Sequence, residues 1–146
     1  MKAFNRSSTL IGAQTMEQVF AAKSKIKRED AEEIALRVLI ALDTAKRSQC
    51  PPGLANFLTR HLVMAVAIGS QMRNKGFYEL CMKAYAAMFK ASTRDTVLLD
   101  LTTGEYATIR RAIAYYVNHL PHVEVGLLNF ATEHAVKVLT PKQQAA

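Results

Sequence analysis

The side chains that could hold a metal ion in this chain include four histidines and two cysteines. His119, His122, Glu124 and His134 lie close together in the sequence. The i, i+3 spacing of the first two would suit a metal pair only if a helix continued through Pro121, and proline inside a helix costs about 3 kcal/mol. Imidazoles near a helix C-terminus interact favourably with the helix dipole and with water instead. We therefore predict no metal site and no cofactor.

Catalytic chemistry would need one of the histidines or cysteines to act beside a suitable neighbour. His61 and His134 both fall on apolar helical stripes, which favours hydrogen-bonded histidines of the core. Cys50 precedes two prolines and Cys81 lies on a core-facing stripe, so neither resembles a thiolate at an exposed helix N-terminus. The sequence contains no glycine-rich phosphate loop, HExxH or GxSxG pattern, and its six glycines are scattered singly. We predict a protein that is not an enzyme and has no catalytic residues.

Basic residues are concentrated at the N-terminus of a chain whose net charge is +7. Residues 1–28 hold six basic side chains against one acidic side chain, whereas residues 29–146 hold thirteen against eleven. Clustered cations attract phosphate backbones, and arginines beside tyrosine can clamp phosphates or stack on bases. The cations concerned are Lys23, Lys25, Lys27, Arg28, Arg110 and Arg111, the last two with Tyr115. They indicate an alternative function, a nucleic-acid-binding transcriptional regulator, although a solvated tether and snorkelling arginines would give the same pattern.

A stretch of about twenty residues, TVLLDLTTGEYATIRRAIAYY at 96–116, resembles the strand and first helix of ribbon-helix-helix DNA-binding proteins. The resemblance implies DNA contacts from the outward side chains of the strand. Those side chains would be Thr96, Leu98 and Asp100, none of which is basic, and the helix at 103–119 is longer than the motif needs. We assign the chain to no family.

Five amphipathic helices must position these side chains, at about 28–47, 53–73, 77–91, 103–119 and 124–139. Acidic residues suit the start of the first helix, and Cys50-Pro51-Pro52-Gly53 ends it. Gly76 is free to take the positive φ that closes the second helix, and Thr102 with Glu105 forms a capping box before the fourth. For 96–101 we predict a short helix or an extended loop in preference to a strand.

The fold predicted from these elements is all-α, a single compact bundle of about five main helices with a basic N-terminal arm. Its divisions are the arm at 1–27, with a short helix capped by Thr15, the bundle at 28–140 and a C-terminal tail at 141–146. The two cysteines match no disulfide framework, and the most apolar window, 62–69, is far shorter than the roughly 20 residues of a bilayer span. We therefore expect a cytoplasmic protein with no membrane segment.

An excess of apolar surface is the most general indication of function. Three of the helices carry apolar residues on more than one face, and a bundle of this size buries such surface only for its central members. The helix at 53–73 is the predicted centre. The helix at 77–91 has one stripe suited to the core, made of Phe77, Leu80, Cys81, Ala84 and Met88. Beside it runs a second stripe, made of Tyr78, Met82, Tyr85 and Phe89.

This second stripe is the predicted protein interface. Tyrosine and methionine are enriched at interfaces, and methionine adapts to varied partners. We predict a non-enzymatic adaptor or inhibitor that binds a protein partner through this face, with a homodimer as one form of that contact. The alternative left open by the sequence is that the stripe packs under the N-terminal segment.

Overall fold

The computed structural model of the chain describes residues 23–46, 50–94 and 98–139. These ranges contain five α-helices, namely α1 (Arg28–Lys46), α2 (Pro52–Gln71), α3 (Lys75–Ser92), α4 (Thr103–His119) and α5 (Val125–Leu139), with a 3₁₀ turn at Leu120–His122. The predicted all-α bundle is confirmed. No helix in the described ranges is both long enough and apolar enough to cross a membrane. The short helix near Thr15 and the tail at 141–146 lie outside the described residues.

Side chains that accept backbone hydrogen bonds fix the starts of α3 and α4. The Thr102 hydroxyl accepts from the Glu105 amide at 3.1 Å, and the Glu105 carboxylate accepts from the Thr102 amide at 2.9 Å. This reciprocal pair is the predicted capping box, which is confirmed. Asn74 caps α3 by accepting from the Phe77 amide at 3.1 Å. α2 begins with Pro52, whose fixed φ suits the first turn of a helix.

The turn between α2 and α3 closes on Arg73. The Asn74 amide donates to the Gly69 carbonyl at 3.1 Å and the Arg73 amide donates to the Ser70 carbonyl at 3.1 Å, which are the two bonds of a Schellman motif. Arg73 accordingly takes the left-handed conformation, with a φ of 55°. Gly76 lies in the first turn of α3, so the prediction that it takes a positive φ is wrong. Asn74 stays extended to cap α3, which leaves the left-handed position to the residue before it.

α2 is the centre of the bundle, as its apolar composition predicts. It packs against each of the other four helices, and nearly all of its residues from 61 to 69 are buried. α4 also packs against α1 and α3, whereas α5 packs against α2 alone among the described helices. The core therefore runs continuously through α1, α2, α3 and α4, and α5 is attached to one side of it.

The connector between α3 and α4 is extended where the structure describes it. The Leu99 amide donates to the Cys50 carbonyl at 3.0 Å in a single antiparallel bridge, and Leu99 is buried. Residues 98–101 therefore follow the predicted extended loop, and residues 95–97 lie outside the described ranges. An isolated bridge of this kind is not the strand that a ribbon-helix-helix arrangement needs.

Candidate interaction surfaces

α3 buries only one of its two apolar stripes. The buried stripe consists of Phe77, Cys81, Ala84 and Met88. On the other stripe Tyr78 is 36%, Met82 39% and Phe89 51% exposed. Tyr85 is half-buried against the core. The structure therefore places most of the predicted protein interface outside the core, on one side of α3.

An apolar groove lies between this stripe and α5. α3 and α5 both pack on α2, but they do not contact each other. The groove has a volume of about 170 Å³. It is lined by Val63 and Val66 of α2, Met82 and Tyr85 of α3, and His134 and Val138 of α5. Its floor is aliphatic, and its walls combine aliphatic, thioether and aromatic groups.

α5 buries a different face from the one predicted, which contained His134. Ala131 and Ala135 are its buried residues, whereas Phe130 and Val136 are exposed. His134 is also exposed, with its ring nearly parallel to that of Phe130 and 6.1 Å between the ring centroids. The prediction that His134 belongs to the core is wrong, because a helix that packs on a single neighbour buries only a narrow stripe. In the sequence, the buried face of α5 is indicated by these two alanines, which lie one helical turn apart.

α1 carries a second exposed apolar face. Leu36 is 60%, Leu39 43% and Ile40 55% exposed, although Val38 between them is completely buried. The three exposed residues have i, i+3, i+4 spacing, so they lie side by side on the helix surface. α1 therefore presents to solvent the kind of surface that amphipathic helices use to bind partners.

His61 is a buried histidine with one polar partner. Its Nδ1 lies 2.8 Å from the Tyr116 hydroxyl, and its ring packs on Phe57 with 4.6 Å between centroids. Burial, and to a smaller extent the charge of Arg60, lowers the pKa of His61 to about 4. Burial raises the pKa of Tyr116, so the hydroxyl stays protonated and can donate a hydrogen bond to the neutral imidazole. The prediction of a hydrogen-bonded core histidine is confirmed for His61.

His119 closes the C-terminal turn of α4, as the helix-terminal interpretation predicts. Its Nδ1–H donates to the Tyr115 carbonyl at 2.9 Å. Its ring stacks on the rings of Tyr115 and Phe77, with centroid distances of 4.7 and 4.9 Å. His122 lies in the 3₁₀ turn. The part of the chain that the structure describes contains no group of three or more His, Cys, Asp or Glu side chains that could hold a metal ion.

Both cysteines are buried thiols. Burial raises the pKa of Cys81 to about 12, and it raises the pKa of Cys50 as well. The predicted position of Cys81 on a core-facing stripe is confirmed. A thiol that stays protonated at neutral pH is a poor nucleophile, so this environment does not activate either sulfur.

The described part of the basic arm is attached beside the start of α5. The Ile26 amide donates to the Val123 carbonyl at 3.0 Å, and Lys25 Nζ donates to the His122 carbonyl at 3.1 Å. Ile26 is buried, whereas Lys23 and Lys25 are exposed. These bonds place the cations of the arm next to the C-terminal end of α4.

The remaining predicted phosphate contacts lie on separate parts of the surface. Lys27 is exposed, and Arg28 pairs with Glu32 at 3.2 Å. Arg110 and Arg111 are both exposed, but adjacent positions of an α-helix point about 100° apart. Arg111 precedes the 3₁₀ turn by nine residues, which is roughly 14 Å along the helix axis. The structure therefore does not join the arm and the two arginines into one cluster.

An ion pair that the sequence did not predict joins the end of α3 to the start of α4. Arg94 donates to both oxygens of the Glu105 carboxylate, one of them at 2.8 Å, and also to the Asp100 carbonyl at 2.9 Å. Hydrogen bonds from Arg94 and from the Thr102 amide hold the pKa of Glu105 down, to about 2. The two partners are eleven residues apart, on either side of a loop, so no helical periodicity relates them.

Comparison of the chain with models of protein families, with curated proteins and with solved structures finds no match.

Proposed function

We propose that this chain is a non-enzymatic protein-interaction module that takes α1 of a second copy into the groove between α3 and α5. The observation that carries the proposal is the arrangement around α2, where α3 and α5 both pack and leave an apolar gap between them. A helix lying over that gap, which at about 170 Å³ has room for one large apolar side chain, would contact α2, α3 and α5 together. Burial of apolar anchors drives this mode of recognition.

The apolar surface that continues from the groove along α3 and α5 suits a helical ligand of about three turns. The stripe on α3 runs from Tyr78 to Phe89, which is roughly 16 Å along the helix axis. On α5, Phe130, His134 and Val138 follow one another at i, i+4 intervals and share a face. Aromatic rings supply large apolar contact areas, and methionine adapts to the shape of its ligand.

α1 of a second copy has the chemistry that this groove requires. Leu36, Leu39 and Ile40 provide anchors at i, i+3 and i+4, the spacing by which helical ligands are read. The occupant and the groove are thus complementary in apolar pattern, since the groove is lined by aliphatic, thioether and aromatic groups.

Self-association through these two surfaces would be head to tail. α1 packs on α2 and α4, while the groove belongs to α2, α3 and α5, so the ligand and its receptor site are different parts of the surface. Interfaces of this kind are heterologous and form rings or open chains rather than closed two-fold dimers. The expected behaviour is a mass that increases with protein concentration.

The test is the molar mass in solution, measured by sedimentation equilibrium over a range of concentrations. Wild-type protein should exceed its monomer mass of 16.2 kDa. Ile40→Glu and Val138→Glu should each remain monomeric, because each introduces a charge into the interface. Leu98→Glu is the matched control, since this exposed leucine lies outside both surfaces, and it should associate like the wild type. Circular dichroism establishes that the variants are folded.

Mixing the two interface variants identifies the pair of surfaces. The Ile40→Glu protein keeps an intact groove and the Val138→Glu protein keeps an intact α1, so the mixture should form a one-to-one dimer that neither forms alone. A wild-type protein that stays monomeric would refute α1 of a second copy as the occupant. An associating wild type whose variants do not complement each other would refute the head-to-tail contact.

A further inference from the structure

A second cleft lies on the other side of α3, where it meets α4. It has a volume of about 500 Å³, and its lining includes Lys83 and Lys90 of α3 and Glu105 and Thr108 of α4. The groove described above is formed instead by Met82 and Tyr85 with α5. The two surfaces therefore share a helix but use different faces of it.

The charge of this cleft is positive. Lys83 and Lys90 are exposed on its α3 side. Glu105 is the acidic side chain of the lining, and both of its oxygens accept hydrogen bonds from Arg94. The carboxylate is thereby neutralised by a guanidinium held against it, and the lysines retain their attraction for anions.

The face of α4 that borders the cleft continues with basic and aromatic side chains. Thr108, Arg111, Tyr115 and His119 follow one another at intervals of three, four and four residues, so they form one stripe. From Thr108 to Tyr115 this stripe extends roughly 10 Å along the helix axis. Arg111 is exposed on this stripe, between Thr108, which lines the cleft, and the aromatic end at Tyr115.

Aromatic rings are fixed in position at the end of the stripe. Tyr115 is 43% exposed, and its ring lies within 24° of the plane of Phe77 and within 18° of the plane of His119. Phe77 is buried, and the imidazole of His119 is held by its bond to the Tyr115 carbonyl. A ring supported in this way loses little conformational freedom when a planar ligand stacks on it.

We propose that the cleft between α3 and α4 binds single-stranded nucleic acid. Lys83, Lys90 and Arg111 contact consecutive phosphates, and a base stacks on the Tyr115 ring. Cations that follow the backbone, together with an aromatic ring, are the means by which proteins bind single strands without reading sequence. A duplex keeps its bases stacked inside and offers none to Tyr115.

The experiment is fluorescence anisotropy with a labelled oligothymidylate and a labelled duplex of random sequence. Wild-type protein should bind the single strand more tightly than the duplex. The logarithm of its binding constant should fall with the logarithm of salt concentration at a slope of roughly −2, from three phosphate contacts at about −0.7 each. The double variant Lys83→Gln, Lys90→Gln should lose about 1.4 of that slope.

Variants of the ring separate stacking from charge. Tyr115→Leu should weaken single-strand binding by roughly tenfold or more, while Tyr115→Phe keeps the ring and should bind like the wild type. A double variant with the same change in charge elsewhere, Lys46→Gln with Lys137→Gln, should retain the slope, and so should Val138→Glu in the other groove. Absence of binding, tighter binding to the duplex, or equal losses in both lysine double variants would overturn the proposal.

Discussion

At the scale of single residues, the pair formed by His61 and Tyr116 links the stability of the fold to pH. Protonation of the buried imidazole would leave a charge in the core, which is why its pKa lies at about 4 instead of 6.5. The unfolded chain takes up the same proton at the ordinary pKa. Between these two values the unfolded state binds more protons, so stability is complete above pH 6.5 and falls as the pH approaches 4.

Replacement of His61 should remove this dependence on pH. The difference in pKa corresponds to about 3 kcal/mol lost by the wild type between pH 6.5 and 4. In His61→Asn the amide oxygen can accept from Tyr116 without titrating, so this loss should be absent, although the smaller side chain lowers stability at pH 7. The measurement is urea unfolding of both proteins at pH 7, 5.5 and 4.5. If the free energies of unfolding of the two proteins fell in parallel with pH, the loss could not be due to protonation of His61.

At the scale of elements, the contact between α2 and the first turn of α3 depends on Gly69. A Cβ at this position would lie 3.1 Å from the Cα and the amide nitrogen of Tyr78 and 3.3 Å from a ring carbon of Phe77. Backbone atoms cannot rotate away as a side chain can, and the Asn74 cap holds this turn in place. The absence of a side chain therefore sets how closely the two helices approach.

Gly69→Ala should lower the free energy of unfolding by about 1 kcal/mol. Crowding of a packed contact typically costs about 1–3 kcal/mol, which exceeds the gain of up to about 1 kcal/mol from replacing a helical glycine. Gly53→Ala is the control, because a Cβ there meets no atom within 4 Å, and it should be neutral or slightly stabilising. Urea unfolding of the two variants compares them directly. Equal stability of the Gly69→Ala and Gly53→Ala variants would show that α3 can move away from α2 at this contact at no cost.

The link between α3 and α4 is a second property of elements, because Glu105 serves the cap of α4 and the ion pair at once. Its pKa, lowered to about 2 mainly by hydrogen bonds from Arg94, means that the folded state favours the ionised carboxyl. The stability it contributes is complete above its ordinary pKa of 4.5 and is lost as the pH falls towards 2.

Glu105→Gln should therefore destabilise the protein in a pH-dependent way. At pH 7 the expected loss is about 1.5–3 kcal/mol, the range for hydrogen bonds to charged groups. The difference from the wild type should shrink at pH 3, because the carboxyl of the unfolded wild-type chain is then mostly protonated while that of the folded state is still largely ionised. Denaturant unfolding at both pH values measures it, with Glu133→Gln, an exposed carboxylate on α5, as the control. A loss of stability that is the same at both pH values would show that the effect depends on the shape of the Glu105 side chain and not on its charge.

At the scale of the whole molecule, α3 separates two surfaces of different chemistry. The side towards α5 is apolar, whereas the side towards α4 is basic and ends in stacked rings. The two surfaces have no lining residue in common, so each can be tested without altering the other.

Local patterns in the sequence were enough to predict the helices and one face of most of them. These patterns are the capping box of Thr102 and Glu105, the prolines at the start of α2 and the apolar periodicity of α3. Each acts over one to four residues, so it can be read without knowledge of the rest of the fold. The same local patterns correctly predicted that Cys81 and His61 are buried. They also identified the second stripe of α3 as an apolar surface that needs an explanation.

Which faces are covered, and by which elements, follows from the packing of the helices. His61 and His134 both fall on apolar stripes, yet His61 lies on the central helix and is enclosed by its neighbours, whereas His134 borders a groove. Arg94 meets Glu105 across a loop, and the arm meets the residues before α5 from the far end of the chain. Periodicity assigns residues to a common face, but it carries no information about which distant element packs there. That choice is made when the helices assemble around α2, because it depends on the fit of all of them together.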